Sequence, residues 1–195
     1  MEVLDIALGY FQRGGPVMVP LVAVSFFMWI MICERFVYYT GMEKGDLSEL
    51  IAAVRGERKV PEGRGMGRHI ALYMAENRTG EGELDRRLLD QCGMRIRPGI
   101  SRNLGVICIL AAVSPLLGLL GTVTGMITTF DVIAMFGTGN ARALAGGISE
   151  ALITTQSGLM VSIPGMLMSV LLVRKAKRLE DRLDETLMTL KRHIR

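Results

Sequence analysis

Three long apolar stretches alternate with charged segments along this chain of 195 residues. The stretches cover residues 16–35, 104–130 and 143–173, and nearly all charged side chains lie outside them. A helix of about 20 apolar residues crosses the hydrocarbon core of a bilayer, so each stretch is long enough to span one. The pattern predicts an all-α integral membrane protein with three transmembrane helices, a helical region between the first two, and long helices that extend from spans two and three.

Small and hydroxyl residues recur every three or four positions in the second and third stretches, which places them on one face of each helix. Glycine lets membrane helices approach closely, and hydroxyl groups can form hydrogen bonds between them. We therefore predict that spans two and three pack through these faces. Two such faces exceed what a single three-helix protomer needs, which favours a homo-oligomer. The glycines assigned to packing are Gly118, Gly121, Gly125, Gly147 and Gly158.

Each of the same two stretches contains a proline, Pro115 in the second and Pro164 in the third. Proline has no N–H for the carbonyl four residues earlier, so a neighbouring helix has to satisfy that carbonyl. We assign both prolines to helix packing, and a kink is the expected local effect.

Basic residues are distributed unevenly, although the formal net charge is only +4. Residues 35–102 contain 13 Lys and Arg and 8 more follow Val173, but only one precedes residue 16 and only one lies within 131–142. Lys and Arg that flank membrane spans stay on the cytoplasmic side. This predicts an outward N-terminus with an interfacial helix over 1–15, an outward link at 131–142, a cytoplasmic region at 36–103 and a cytoplasmic tail at 174–195.

The region between spans one and two predicts helices at 42–55, 66–78 and 83–96, and Pro98-Gly99 is expected to kink or break the last of them. Acidic and basic side chains are mixed here, which fits a solvated helical bundle better than a nucleic-acid surface. At the end of span one, Arg35 and the aromatic residues after it predict an interface anchor. A partner for Arg35 in another helix is the alternative.

The sequence offers little that could carry an enzymatic reaction. It contains no phosphate-binding loop, no nucleophile elbow and no zinc-binding His motif, so we predict no enzyme, no metal and no other cofactor. Three cysteines on or near the reducing side predict no structural disulfide. Glu150 lies just inside span three, and an ionisable residue within a membrane helix is a functional candidate by default.

Thr122 and Thr155 are predicted to lie at one depth in the membrane. Thr122 precedes the expected end of span two by eight residues, and Thr155 follows Gly146, near the expected start of span three, by nine. At about 1.5 Å per residue, both lie roughly 12–14 Å below the outer surface. Several subunits could ring a pore with these hydroxyls, with Glu150 nearer the outer mouth. Helix packing alone is the competing interpretation.

These motifs resemble the ExbB/TolQ/MotA proton-channel family. The resemblance lies in GGPVM at residues 14–18, in Glu34-Arg35, in SPLLGLLGTVTGMITTF at 114–130 and in GISEALITTQSGLMVSIP at 147–164. Three spans with an outward N-terminus are similar to the ExbB and TolQ branches, ExbB most of all. The four-span MotA branch is less similar.

The resemblance implies a homopentamer in the bacterial inner membrane around a smaller ExbD- or TolR-like subunit, whose membrane Asp carries the proton. Proton flow would drive a TonB- or TolA-like partner across the periplasm. The family's pore threonines fall on Thr122 and Thr155 and its glutamate on Glu150, with Thr154 as a further candidate. We therefore predict an ExbB-type subunit that couples proton motive force to TonB-dependent transport across the outer membrane. The alternatives are a TolQ-type subunit of the Tol-Pal envelope-integrity system and a non-conducting membrane scaffold.

Overall fold

The structure is a computed structural model that describes residue 9 and residues 13–43, 50–52 and 65–193. All regular structure within these ranges is helical, which confirms the predicted all-α class. The elements are α1 (Met18–Met42), α2 (Met66–Asn77), α3 (Gly82–Ser101), α4 (Leu104–Phe136), a short 3₁₀ turn (Gly137–Gly139) and α5 (Ala141–His193). Helices α1, α4 and α5 supply the three segments long and apolar enough to cross a membrane.

The chain divides into two compact units. The first unit comprises Met1–Ile32 and Gly105–Ser169, so it holds the beginning of α1, nearly all of α4 and the first part of α5. The second unit comprises Cys33–Leu104 and Val170–Arg195, which includes the end of α1, all of α2 and α3, and the end of α5. The predicted interfacial helix over 1–15 lies mostly outside the described residues.

A tight turn joins α4 to α5 in the first unit. Helix α4 continues six residues beyond Phe130, the expected end of span two. Gly137 then takes a φ of +68°, a left-handed conformation that glycine adopts without steric cost. The side chain of Asn140 accepts a hydrogen bond of 3.2 Å from the N–H of Ala143 and so caps the start of α5. Because the turn is this short, the two long helices can run antiparallel with their small-residue faces in contact.

In the second unit, the last part of α5 buries a stripe of leucines. Leu179, Leu183, Leu187 and Leu190 are all nearly inaccessible to solvent and follow the spacing of one helix face. Ion pairs of Arg97 with Asp184 and of Lys191 with Asp90 link α3 to α5 at the surface. Surface pairs of this kind contribute about 0–1 kcal/mol each, so the apolar stripe holds the unit together. The expected continuation of span three into the tail is confirmed.

Two side chains of α1 cap the C-terminal end of α3. The guanidinium of Arg35 donates a 3.0 Å hydrogen bond to the carbonyl of Gly99, and the hydroxyl of Tyr39 donates a 2.8 Å bond to the carbonyl of Ile100. The last carbonyls of a helix have no partner within it, and the helix dipole favours a cation there. Arg35 and Tyr39 are both buried, so Arg35 has the partner in another helix that we gave as the alternative.

Of the kink or break expected at Pro98-Gly99, the break is wrong by a few residues. Pro98 lies inside α3, which ends only at Ser101. The break before α4 falls at Asn103, whose φ of +62° is left-handed, a conformation that asparagine tolerates better than most residues. The helix predicted at 66–78 is confirmed by α2, and α3 covers the one predicted at 83–96. The helix predicted at 42–55 lies largely outside the described residues.

Candidate functional site

The helix pair formed by α4 and α5, with its stripes of small and hydroxyl residues, is the candidate site, and the two helices approach closely at glycines. A Cβ placed on Gly158 would lie 2.9 Å from the carbonyl oxygen of Ser114 and 3.0 Å from the Cα of Gly118. A Cβ placed on Gly118 would lie 3.2 Å from the Cα of Thr155. These neighbours are backbone atoms, which cannot turn away as a side chain can. The two backbones therefore touch at a place that admits only glycine without a shift.

The row of close contacts between α4 and α5, here called the contact line, continues from Gly118 and Gly158 toward the turn between the two helices. A Cβ on Gly125 would meet the carbonyl oxygen of Gly147 at 2.8 Å and the Cβ of Ala151 at 2.9 Å. A Cβ on Gly147 would overlap the hydroxyl of Thr129. The small-residue faces of α4 and α5 are thus used against each other within one protomer. This removes our reason for expecting that the faces require a second copy of the chain.

Thr154 and Thr155 are adjacent but lie in different surroundings. Thr154 is buried, its side chain fills the space beside Gly121, and its hydroxyl donates to the carbonyls of Glu150 and Ala151 at 3.0 and 2.9 Å. Thr155 is only partly buried, and its hydroxyl lies 3.2 Å from the carbonyl of Gly118 on the facing helix and 3.1 Å from that of Ala151. Thr155 is therefore at the edge of the contact line, whereas Thr154 is inside it.

Thr122 flanks the contact line about one helical turn away from the point on α4 that Thr155 contacts. It follows Gly118 by one helical turn, and Gly118 is the residue whose carbonyl Thr155 reaches. The hydroxyl of Thr122 donates to the carbonyl of Leu119 at 2.6 Å, within its own helix. Helical register puts Thr122 and Thr155 on the same side of the antiparallel pair. One protomer thus offers two hydroxyls along one edge of the α4–α5 contact.

The proline of α4 has the cross-helix partner that its chemistry requires. Pro115 cannot donate to the carbonyl of Ala111, and the hydroxyl of Ser162 in α5 donates to that carbonyl at 2.9 Å. Ser162 is buried, so the bond is shielded from water. Helix α5 likewise continues through Pro164 without ending. This bond could have been predicted from the sequence, because Ser162 lies on the small-residue face of α5, which packs against the helix that contains Pro115.

The carboxylate of Glu150 lies against the glycine turn that precedes α1. A Cβ placed on Gly15 would be 2.6 Å from the carboxyl carbon of Glu150 and would overlap its Oε1. Gly14, next in the turn, would bring a Cβ within 3.4 Å of Ile153, one turn further along α5. Sequence reasoning missed this contact, because nothing in the local pattern of either segment indicates the other.

Acidic groups are scarce in the part of the first unit that the structure describes. Only Glu150 and Asp131 carry a carboxylate there, and Asp131 is exposed near the end of α4. No group of three metal-ligating side chains occurs among the described residues of the chain. The arrangement can therefore offer hydroxyls, backbone carbonyls and one carboxylate to a proton or a polar partner, but it holds no chain of titratable groups across the helices.

These features define an integral membrane protein whose polar helix pair is closed by glycines and edged by threonines. The family model described as "MotA/TolQ/ExbB proton channel family" matches residues 60–185 of the chain. The chain belongs to this family.

Several relatives carry ExbB names. The protein ExbB-like 1 of Synechocystis sp. is 33% identical over 178 residues, which cover 85% of this chain and 70% of the relative. ExbB-like 3 of the same organism is 29% identical over 167 residues, 80% of each chain. The biopolymer transport protein exbB1 of Vibrio cholerae is 37% identical over 92 residues, which are 47% of this chain and 40% of that protein.

Proposed function

We propose that this protein is the ExbB-type subunit of an inner-membrane proton channel that couples proton motive force to TonB-dependent transport across the outer membrane. The observation that carries the proposal is the α4–α5 pair, where the Thr155 hydroxyl reaches the Gly118 carbonyl one turn from Thr122. Family membership and the biopolymer-transport names of the relatives support it. In this proposal Thr122 and Thr155 line the proton route, and Glu150 tunes its outer mouth.

The proton carrier in this proposal comes from a partner. The first unit, as far as it is described, has no carboxylate deep between its helices, and hydroxyls alone do not hold a proton at neutral pH. A single-span ExbD- or TolR-like subunit with a membrane Asp would supply the missing group. Moving one charge through 100 mV releases about 2.3 kcal/mol, which is enough to bias a conformational change. A TonB-like protein would then transmit the motion.

The proposal is tested by proton flux in vesicles. The chain is reconstituted alone, with its ExbD-like partner, and with that partner carrying Asn in place of the membrane Asp, and a pH-sensitive dye inside the vesicles reports the flux. We expect proton entry only with the unaltered partner under an imposed potential. No flux in any preparation would support the non-conducting scaffold instead, and equal flux in all three would contradict a proton carrier supplied by the partner.

The same complex separates the TonB pathway from the Tol pathway. Co-purification of a TonB-like protein, together with loss of energy-dependent uptake when the chain is deleted, supports the ExbB-type assignment. Co-purification of a TolA-like protein, together with detergent sensitivity of the deletion strain, supports the TolQ-type assignment.

The orientation belongs to the same proposal, with the N-terminus and the 131–142 link in the periplasm and residues 36–103 and 174–195 in the cytoplasm. Single cysteines at Gly139 and at Met94 test it in a background without the three native cysteines. Both sites are open, since nothing lies near a Cβ at Gly139 and Met94 is 65% exposed. An impermeant thiol reagent should label Gly139→Cys in intact spheroplasts and leave Met94→Cys unlabelled. The reverse pattern contradicts the orientation.

A further inference from the structure

The turn at Gly14-Gly15 lies outside α4 and α5 and brings its backbone close to the candidate site residue Glu150. Gly15 has a φ of +65°, in the left-handed region that side chains rarely adopt. Its carbonyl accepts a 3.2 Å hydrogen bond from the N–H of Met18, so the turn also starts helix α1. The conformation of Gly15 is thereby tied to the first turn of α1.

The Glu150 carboxylate takes the space that a side chain on Gly15 would need. A Cβ there would lie 3.2 Å from Cγ of Glu150, 2.6 Å from Cδ, and in overlap with Oε1. Gly14 differs, because a Cβ on Gly14 would overlap Cγ of the flexible Met18 side chain and lie 2.8 Å from its Sδ, and it would not meet Glu150 among its nearest atoms. Backbone conformation and space therefore both demand glycine at position 15, and the three atoms nearest to a Cβ there all belong to Glu150.

We propose that Gly15 is a positioning residue for Glu150. Because Gly15 has no side chain, its left-handed turn leaves a space at the start of α1, here called the seat, which the Glu150 carboxylate occupies. The inference rests on the proposed function, in which Glu150 tunes the proton route. Glu150 precedes Thr154 by one turn, and its carbonyl accepts the Thr154 hydroxyl at 3.0 Å. A carboxylate held in the seat therefore stays at a fixed distance from Thr154, which lies in the α4–α5 contact.

The test separates loss of the seat from backbone strain. Gly15→Ala adds a Cβ in both the wrong conformation and the occupied space. Gly137→Ala is the matched control, since Gly137 lies in the same unit and has a φ of +68° but nothing within 4 Å of its Cβ position. Glu150→Asp shortens the side chain by one methylene and makes room for the new Cβ. The three variants and the combination Gly15→Ala with Glu150→Asp are compared with the wild type.

Two readouts are used. The first is proton flux in vesicles with the ExbD-like partner. The second is the ¹³C signal of the Glu150 carboxyl group in labelled protein, identified by its loss in Glu150→Gln, which requires no flux. We expect Gly15→Ala to shift the signal and lower the flux about ten-fold or more, since displacing a functional group by about 1 Å costs up to about 10²-fold in rate. Gly137→Ala should change neither, and the combined variant should conduct more than the product of the two single effects predicts.

The inference is overturned if Gly15→Ala and Gly137→Ala have the same signal and flux, or if the combined variant is no better than that product. Should Gly15→Ala fail to fold, Gly15→Asn replaces it with Gly137→Asn as its control, because asparagine tolerates a left-handed φ. A wild type that conducts no protons, with a Glu150 signal that still moves only when residue 15 is changed, refutes the proposed function and keeps the seat. A wild type that conducts protons, with no effect of the changes at residue 15, refutes the seat and keeps the proposed function.

Discussion

At the scale of single residues, the two adjacent threonines of α5 show why a stripe in the sequence does not assign roles. Both hydroxyls have the same chemistry and differ by 100° around the helix. Thr154 is buried beside Gly121, whereas Thr155 stands at the edge of the contact and reaches across it to Gly118. A packing role accounts for the whole environment of Thr154. Thr155 therefore gives the sharper test of a proton route.

Thr155→Val should assemble normally and lose most of its proton-driven transport, because valine keeps the shape and removes the hydroxyl. A pure packing role predicts a loss of only about 0.6 kcal/mol, the average for a membrane hydrogen bond. The control is Thr128→Val, since the Thr128 hydroxyl is exposed and bonds only the carbonyl of Thr124 in its own helix. Transport driven by the proton motive force is measured beside the amount of complex recovered. Wild-type transport by Thr155→Val would leave Thr155 with packing alone.

Asp85 provides a second residue-scale prediction, on the stability of the second unit. Its buried carboxylate accepts hydrogen bonds from the N–H and the hydroxyl of Thr79 at 2.9 and 3.0 Å and lies 3.5 Å from the Arg78 guanidinium. Desolvation opposes ionisation, but the Thr79 hydrogen bonds and the Arg78 charge together hold the pKa of Asp85 below its ordinary value. The ionised carboxylate therefore stabilises the folded unit.

The sign of the pH dependence follows from that direction. Because the pKa of Asp85 is lower in the folded chain, the stabilisation is complete above the unfolded pKa of about 4 and is lost as the pH falls through the folded value. We expect Asp85→Asn to cost roughly 1–3 kcal/mol at pH 7 and progressively less below pH ~4. Thermal melting in detergent measures it, with Glu83→Gln as control, since the Glu83 side chain is 83% exposed. A difference between wild type and Asp85→Asn that stays constant from pH 7 to pH 3 would rule out this account.

At the scale of helices, features that depend on the periodicity of residue types could be predicted from the sequence. Features that depend on contacts between distant residues could not. The α4–α5 contact follows from small residues at helical spacing, and the α5 extension follows from its leucine stripe. The end of α3 does not follow from Pro98, because proline lacks only one N–H and α1 satisfies the carbonyls beyond it through Arg35 and Tyr39. A helix ends where its last carbonyls find partners, and these partners are more than 60 residues away in the sequence.

Pro115 and Ser162 form a coupled pair, and this gives the prediction at the helix scale. Ser162→Ala should destabilise the chain because the buried carbonyl of Ala111 then has neither a backbone donor nor the serine hydroxyl. In a Pro115→Ala background the new N–H of residue 115 can bond that carbonyl, so the same serine change should cost little. A double-mutant cycle by thermal melting should give a coupling of about 0.6 kcal/mol, up to about 1.7.

The control for this cycle is Ser157→Ala in both backgrounds, since the Ser157 hydroxyl bonds only the Ile153 carbonyl of its own helix. Its effect should be the same with proline or alanine at position 115. If Ser162→Ala costs the same in both backgrounds, the hydroxyl does not replace the missing backbone donor.

At the scale of the whole molecule, the least predictable feature is the contact of Glu150 with Gly15. The class of protein follows from three apolar stretches, and the candidate threonines follow from spacing and the family resemblance. The glycine turn looks like an ordinary helix start in the sequence, and only folding brings it to the one carboxylate of α5 in the first unit. Contacts between distant segments depend on how side chains fill the space between them in the folded chain. A pattern of residue types along the sequence does not show this.

The oligomer needs a different argument from the one that the sequence provided, since the small-residue faces are used within one protomer. A single α4–α5 edge with Thr122 and Thr155 cannot enclose a proton route, because its open side would face lipid or water. Several copies arranged around one axis would enclose the route and leave room for the partner's helix. Membership of the proton-channel family supports an assembly of several copies, and the resemblance to the ExbB and TolQ branches implies five.

Native mass spectrometry of the detergent-solubilised chain tests the proposed homopentamer. We expect a dominant species of five times the chain mass, and one of larger mass when the ExbD-like partner is co-expressed. Co-expression of tagged and untagged copies provides the control, because untagged chains should elute with tagged ones only if the assembly forms in the cell. Gly158→Ala should reduce the yield of assembled protein by separating α4 from α5, whereas Gly146→Ala should not, since nothing lies near a Cβ at Gly146. A monomer as the sole stable species in several mild detergents would contradict the enclosed route, because two hydroxyls on one open helix pair cannot keep protons apart from bulk water.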